Sequence, residues 1–165
     1  MIPRYTRPEM GRIWTPERRF RIWLDVELAA CEAMVRLGEV PPEDYEALRK
    51  AFDAVRKAQE RGIRALCPGA RCRDVDARVR ETLDRLGYLK YFVHSTGHGV
   101  GLDIHERPSL SRRSRDRLDE GMVVTVEPGV YLPGLGGVRL EDTAKVTAAG
   151  WERVTFLPKS PSPRI

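Results

Sequence analysis

His94-Ser95-Thr96-Gly97-His98-Gly99-Val100-Gly101-Leu102-Asp103-Ile104-His105-Glu106 contains all three histidines of the chain. Imidazole is the commonest side chain for binding a metal or moving a proton near neutral pH. The glycines between the histidines let the backbone pass close to a ligand or take positive φ angles. Two acidic segments follow, Val126-Glu127-Pro128-Gly129 and Arg139-Leu140-Glu141-Asp142-Thr143. Together His98, Glu127 and Glu141 form a hard, mixed nitrogen–oxygen donor set suited to Mn²⁺, Fe²⁺, Co²⁺ or Zn²⁺. A metal so held acidifies a bound water and polarises a carbonyl, which are the two needs of amide hydrolysis. His94 and His105 bracket His98 as further donors. Each of these residues alone has a plain structural role open to it: a hydrogen-bonded histidine, a turn glutamate, an exposed strand end. Their joint presence points to an active site.

Outward from this stretch, the chain changes period. Upstream it is helical. Thr15-Pro16-Glu17 reads as a helix start, with a capping hydroxyl, a proline in the first turn and an acid near the positive dipole end. Phe20, Trp23, Leu24, Leu28, Cys31 and Val35 recur at helical spacing up to Leu37, and Gly38 ends the run. Pro41-Pro42 breaks the chain, and a second helix is predicted over 43–65, with Tyr45, Leu48, Phe52, Val55 and Gln59 on one stripe. Pro68-Gly69 makes a turn before a third helix over 73–86, closed by Gly87. The first ten residues read as irregular. Downstream, short extended runs at 122–126, 129–132, 138–140, 143–147 and 153–156 read as strands, with Gly134-Leu135-Gly136-Gly137 as a turn. Helices first and antiparallel-type strands later make this an α+β chain.

Composition narrows the function classes. With 165 residues, 41% hydrophobic and 32% charged, the chain suits one soluble domain with a helical extension. No run of about eighteen apolar residues exists, so no membrane span is expected. The opening Met1-Ile2-Pro3-Arg4-Tyr5 lacks a charged-then-apolar leader pattern. Cys31, Cys67 and Cys72 match no zinc spacing and read as reduced thiols, consistent with a cytoplasmic protein. The net charge is +5, but most arginines alternate with acids along the helices. Only Arg112-Arg113-Ser114-Arg115-Asp116-Arg117 is a local cluster, read as a solvated loop, so no nucleic-acid partner is expected.

The segments around His94–His105, Glu127-Pro128-Gly129 and Arg139–Thr143 resemble the C-terminal half of the Xaa-Pro peptidases, over about residues 45–158. These are the aminopeptidase P and prolidase relatives of methionine aminopeptidase, with the pita-bread fold. The resemblance implies that His98, Glu127 and Glu141 bind metal and that Glu127 also shuttles protons. It implies that His94 and His105 contact substrate and stabilise the tetrahedral intermediate, and that Arg139 orients substrate. The substrates implied are short peptides with proline after the first residue.

The same resemblance exposes a departure. In the family, two further aspartate ligands lie on a strand pair just before the helix that matches 43–65. Here that place holds the helix ending at Leu37 and Pro41-Pro42; Asp25 and Asp44 lie in helical rather than extended contexts. One ion at most per chain, and impaired hydrolysis, are the expectation. Residues 1–41 are similar instead to the start of bacterial adenylosuccinate lyase, through Met1–Met10, Ile13-Trp14-Thr15 and Trp23–Ala30. There Arg4 and Tyr5 would match residues that touch a nucleotide, although the lyase's catalytic parts have no counterpart here. The chain therefore reads as chimera-like. It joins a lyase-like helical segment (1–41) to a peptidase-like α+β domain (42–165), a partial pita-bread half-domain with an added N-terminal helix. The alternative function is an inactive scaffold or association module, a homodimer included, because a sheet without its opening strands exposes a hydrogen-bonding edge.

Overall fold

The computed structural model describes residues 7–155. These divide into two compact units, one up to Tyr45 and one from Glu46 to Thr155.

The first unit is helical. Helix α1 (Pro8–Ile13) is followed by α2 (Pro16–Arg36). Residues 7–10 were expected to be irregular, but Pro8 at the first position leaves no backbone N–H to satisfy there and opens a short helix. The start of α2 follows the sequence signals: Thr15 Oγ1 accepts a hydrogen bond from the Arg18 amide at 3.2 Å. At its end, Gly38 takes a positive φ of 76°. The helical stripe of α2 is not uniformly buried, for Trp23 is 55% exposed. Arg4 and Tyr5, and the side chains of Asp25 and Cys31, lie outside the described residues.

The second unit carries the histidines. Helix α3 (Pro42–Arg64) has Glu43 and Asp44 in its first turn and Arg61 and Arg64 in its last, each complementing the helix dipole. Its buried side is Ala51, Ala54, Val55, Ala58, Gln59, Gly62 and Ile63, the spacing of a single helical face. Helix α4 (Cys72–Arg85) buries Cys72, Val75, Asp76, Val79, Thr82 and Leu83. A 3₁₀ turn at Leu89–Tyr91 leads into seven strands: β1 (Gly97–Gly99), β2 (Glu106–Leu110), β3 (Val123–Val126), β4 (Gly129–Leu132), β5 (Gly136–Arg139), β6 (Asp142–Thr147) and β7 (Gly150–Arg153). Five form an antiparallel sheet in the order β2-β1-β3-β6-β7, and β4 pairs with β5 as a separate hairpin.

Two departures from the sequence expectation have local causes. Strand β1 lies in the glycine-rich histidine stretch and β2, Glu106-Arg107-Pro108-Ser109-Leu110, runs on from its end; in both, low intrinsic β propensity masks strands that tertiary pairing creates. The last strand begins at Gly150, earlier than expected, because the turn at Ala148-Ala149 sets the register Thr147↔Gly150. Two apolar clusters stabilise the unit. One joins Ile63, Leu66 and Val75 to Leu110, Val124, Val126 and Val146. The other joins Val55, Ala58, Val79 and Leu83 to Phe92 and Val130. Among the described residues no helix is long and apolar enough to cross a membrane.

Cys67 is exposed and Cys72 buried, and both are free thiols. Burial, reinforced by the nearby Asp116 carboxylate, pushes the Cys72 thiol up to about 11. The thiolate is the reactive form, so a maleimide at neutral pH is expected to label Cys67 and spare Cys72 until the protein unfolds. Peptide mapping with and without urea reads this out; equal labelling of both cysteines in the folded protein would contradict the burial.

Candidate functional site

Strand β1 places His98, and the glycines on either side make that possible. A Cβ at Gly97 would collide with the Thr125 carbonyl, and one at Gly99 with the Arg107 carbonyl. Glycine at both positions lets β1 lie pressed between β2 and β3. The His98 amide then donates to Thr125 Oγ1 at 3.0 Å. Thr125 Oγ1 in turn donates to Glu127 Oε1, also at 3.0 Å. One threonine hydroxyl thus fixes both the backbone of the histidine and the carboxylate beside it.

The imidazole of His98 has a defined tautomer. Nδ1 lies 3.0 Å from the Gly99 carbonyl oxygen, which can only accept, so Nδ1 carries the proton. Nε2 faces Glu127 Oε1 at 3.1 Å. A nitrogen lone pair and a carboxylate oxygen that face each other need a proton or a cation between them. A ring held through its other nitrogen by a backbone carbonyl is also how metal-binding histidines are oriented. Arg139 Nε lies 3.9 Å from Glu127 Oε2. The ring of His105 stands 4.3 Å from that of His98, centroid to centroid.

These groups share one cavity of about 430 Å³, whose walls include His98, His105, Thr125, Glu127, Arg139 and Glu141. His94 is not in this wall. Its Nδ1 donates to the Ser95 carbonyl at 2.8 Å, and its Nε2 receives the Tyr131 hydroxyl at 3.2 Å. The ring stands edge-on to Phe92 and Tyr131. Among the described residues, no three His, Cys, Asp or Glu side chains are grouped closely enough to hold a metal ion. The donor chemistry of His98, Glu127 and Glu141 suits a hard divalent ion, but Glu141 is exposed on the cavity wall and does not close on the other two.

Buried polar residues that were not singled out as site residues brace the wall from behind. Gln59, on the buried face of α3, donates through Nε2 to the carbonyls of Val126 and Leu140, each at 2.9 Å. Those residues immediately precede Glu127 and Glu141. Asp76, fully buried on α4, accepts from Arg80 Nε at 2.6 Å and from Thr96 Oγ1 at 2.8 Å. Arg80 Nη2 donates to the His94 carbonyl at 2.7 Å. The signal for both braces was present in the sequence: Gln59 and Asp76 are polar residues at helix positions whose neighbours are apolar, and buried polar groups need partners. Thr125 and Tyr131 carried no such signal.

Comparison with known proteins places these residues in a family. The sequence model for metallopeptidase family M24 matches residues 28–148. The chain is 47% identical over 110 residues to an Xaa-Pro dipeptidase of Pyrococcus furiosus, covering 67% of this chain and 32% of that protein. A solved prolidase structure from Pyrococcus furiosus superposes with a TM-score of 0.65 at 46% identity, over 67% of this chain and 33% of that one. An Xaa-Pro dipeptidase structure from Bacillus anthracis gives a TM-score of 0.68 at 48% identity, over 69% of this chain and 32% of that one. The fold is therefore a partial pita-bread domain. The chain spans about a third of the length of the relatives it matches.

Gln59→Leu keeps the volume and removes both amide bonds. Leaving the buried Val126 carbonyl and the part-buried Leu140 carbonyl without this donor is expected to destabilise the fold by roughly 1–3 kcal/mol or somewhat more in urea unfolding. A loss below about 0.5 kcal/mol, the range of neutral surface changes, would mean that this bridge does not hold the two strand ends.

Proposed function

The chain belongs to metallopeptidase family M24, and from that membership we propose that it is a metal-dependent Xaa-Pro peptidase domain. It would hydrolyse the peptide bond before proline in short peptides, as an aminopeptidase or dipeptidase. The observation that carries this reading is His98 Nε2 facing Glu127 Oε1 at 3.1 Å in a cavity shared with His105, Arg139 and Glu141.

In this reading His98 and Glu127, with Glu141 drawn in from the cavity wall, would hold one divalent ion, Mn²⁺, Co²⁺, Fe²⁺ or Zn²⁺. When bound, such an ion supplies Lewis acidity toward a carbonyl and acidifies water. The chain's own residues do the rest. Glu127, fixed by Thr125, takes a proton from the attacking water and returns it to the leaving amine. His105, beside His98 and exposed, donates to the substrate carbonyl as charge develops there. Arg139 flanks Glu127 Oε2 and orients the peptide. His94 contributes from the neighbouring wall, with its ring set by Tyr131. Hydrolysis is impaired, because no aspartates stand in the extended context of the two further family ligands.

A second reading is favoured by a specific observation. Glu141 does not close on His98 and Glu127, and no three such side chains group together among the described residues. That arrangement suits a peptidase fold retained as an inactive scaffold or homodimeric association module. The lyase-like character of residues 1–41 and a cytoplasmic location belong to the proposal as well.

Elemental mass spectrometry of the Mn²⁺- or Co²⁺-loaded, desalted protein, run beside an Xaa-Pro dipeptide assay, separates the two readings. The peptidase reading expects about one ion per chain and slow turnover that falls in acid, because ligands bind deprotonated. His98→Ala should remove the ion. Glu127→Ala should lower turnover by about a hundredfold or more, the usual worth of a general base. Metal content that neither substitution alters would sink the metal site, and absent turnover would leave the scaffold.

A further inference from the structure

The Arg112-Arg113 cluster, unused by the reading above, lines a second cavity that His94 also borders. This cavity, of about 410 Å³, is bounded by Arg80, Phe92–Ser95 and Ser111–Arg113. Its charged walls are three arginines, and no carboxylate is among them. Arg80 is the one already engaged: Asp76 holds its Nε, the His94 carbonyl takes Nη2, and its guanidinium lies over the Phe92 ring at 4.4 Å. Arg112 and Arg113 are exposed and have no acidic partner among the described residues. Ser95 offers a hydroxyl with no partner among those residues, and Ser111 a hydroxyl bonded only to that of Ser109.

A larger groove carries a different balance of charge. That groove, of about 920 Å³ between α3 and α4, also carries arginines, including Arg61, Arg71, Arg78 and Arg85. There Asp74, Glu81 and Asp84 stand among them, and Arg78 pairs with Glu81 at 3.5 Å. Five arginines there, Arg64 among them, face these three carboxylates, so part of the positive charge is cancelled locally. In the cavity beside His94 the charge of Arg80 is balanced by Asp76, while Arg112 and Arg113 have no carboxylate partner among the described residues and stand beside two hydroxyls, the combination that recognises oxygen anions through charge-assisted hydrogen bonds.

We propose that the cavity formed by Arg80, Ser95, Ser111, Arg112 and Arg113 is a binding subsite for a small oxyanion, the carboxylate or phosphate group of a ligand. Arg112 and Arg113 supply the charge, and Arg80, its own charge balanced by Asp76, supplies a fixed guanidinium wall. Both ring nitrogens of His94 are already committed, to Ser95 and Tyr131, so His94 serves as a wall and not as the anion's partner. The subsite does not depend on hydrolysis at the neighbouring cavity.

The test is a titration of the full chain with inorganic phosphate and, separately, with acetate, followed by amide chemical shifts. Saturable shifts centred on Ser95 and Ser111–Arg113 are expected, weakening as salt screens the arginines. The Arg112→Ala/Arg113→Ala double variant, altered only at exposed side chains, should bind about tenfold more weakly or worse. Arg115→Ala, which removes an exposed arginine outside the cavity, should leave the affinity unchanged. Tighter binding of phosphate marks a phosphorylated ligand, and tighter binding of acetate a carboxylate. No saturable shift with either anion overturns the subsite. Equal weakening by Arg115→Ala and the double variant overturns it too, since that would show only diffuse surface charge.

Discussion

The backbone of β1 runs so close to its neighbours that Gly97 and Gly99 leave no room for a Cβ, and the geometry around His98 depends on this contact. A methyl group at either position would push β1 off β3 or β2. His98 would then lose the Thr125 hydroxyl that aligns it with Glu127. Sheets tolerate glycine poorly, since it adds backbone entropy to be lost and nothing to pack. Its presence on both sides of His98 marks a place where close approach outweighs that cost.

The wall built on this strand is braced by polar groups buried in the core. Gln59 ties α3 to the ends of the strands that lead into Glu127 and Glu141, and Asp76 ties α4 to Thr96 and, through Arg80, to His94. Burying such groups is costly unless each finds partners. Breaking a buried ion pair costs far more than forming it gains, which makes Asp76–Arg80 a determinant of position more than of stability. Here the apolar clusters supply the stability and the polar braces supply the aim. His94 borders the arginine-lined cavity, with its ring set against Phe92 and Tyr131.

Much of this was legible in the sequence. The helices over α2, α3 and α4 follow from proline and threonine starts, glycine stops and apolar spacing, and agree with the structure to within a residue or two. Four of the five antiparallel-type runs became β3 to β6 with their ends displaced, β5 starting inside the expected glycine turn, while the last strand lies at Gly150–Arg153 and shares only Arg153 with the expected run. His98, His105, Glu127, Arg139 and Glu141, widely separated along the chain, do line a common cavity. His94 does not, because its ring is turned toward Phe92 and Tyr131. The strands β1 and β2 were not legible, because their residues have little strand preference and are ordered by pairing. Gln59 and Asp76 could be seen as polar residues among apolar ones, but what they hold could not, since their partners lie far along the chain.

By itself the sequence determined the period of each segment, the punctuation between segments and the chemistry available near the histidines. These are local properties, carried by side-chain type and spacing within a turn or two. The tertiary structure decided which groups meet. It alone decided that His98 faces Glu127 while Glu141 stands apart, that two glycines permit a backbone contact, and that Arg112 and Arg113 open onto a cavity without carboxylates. Such distances depend on how α3, α4 and the sheet pack, and no residue's own neighbours along the chain encode them.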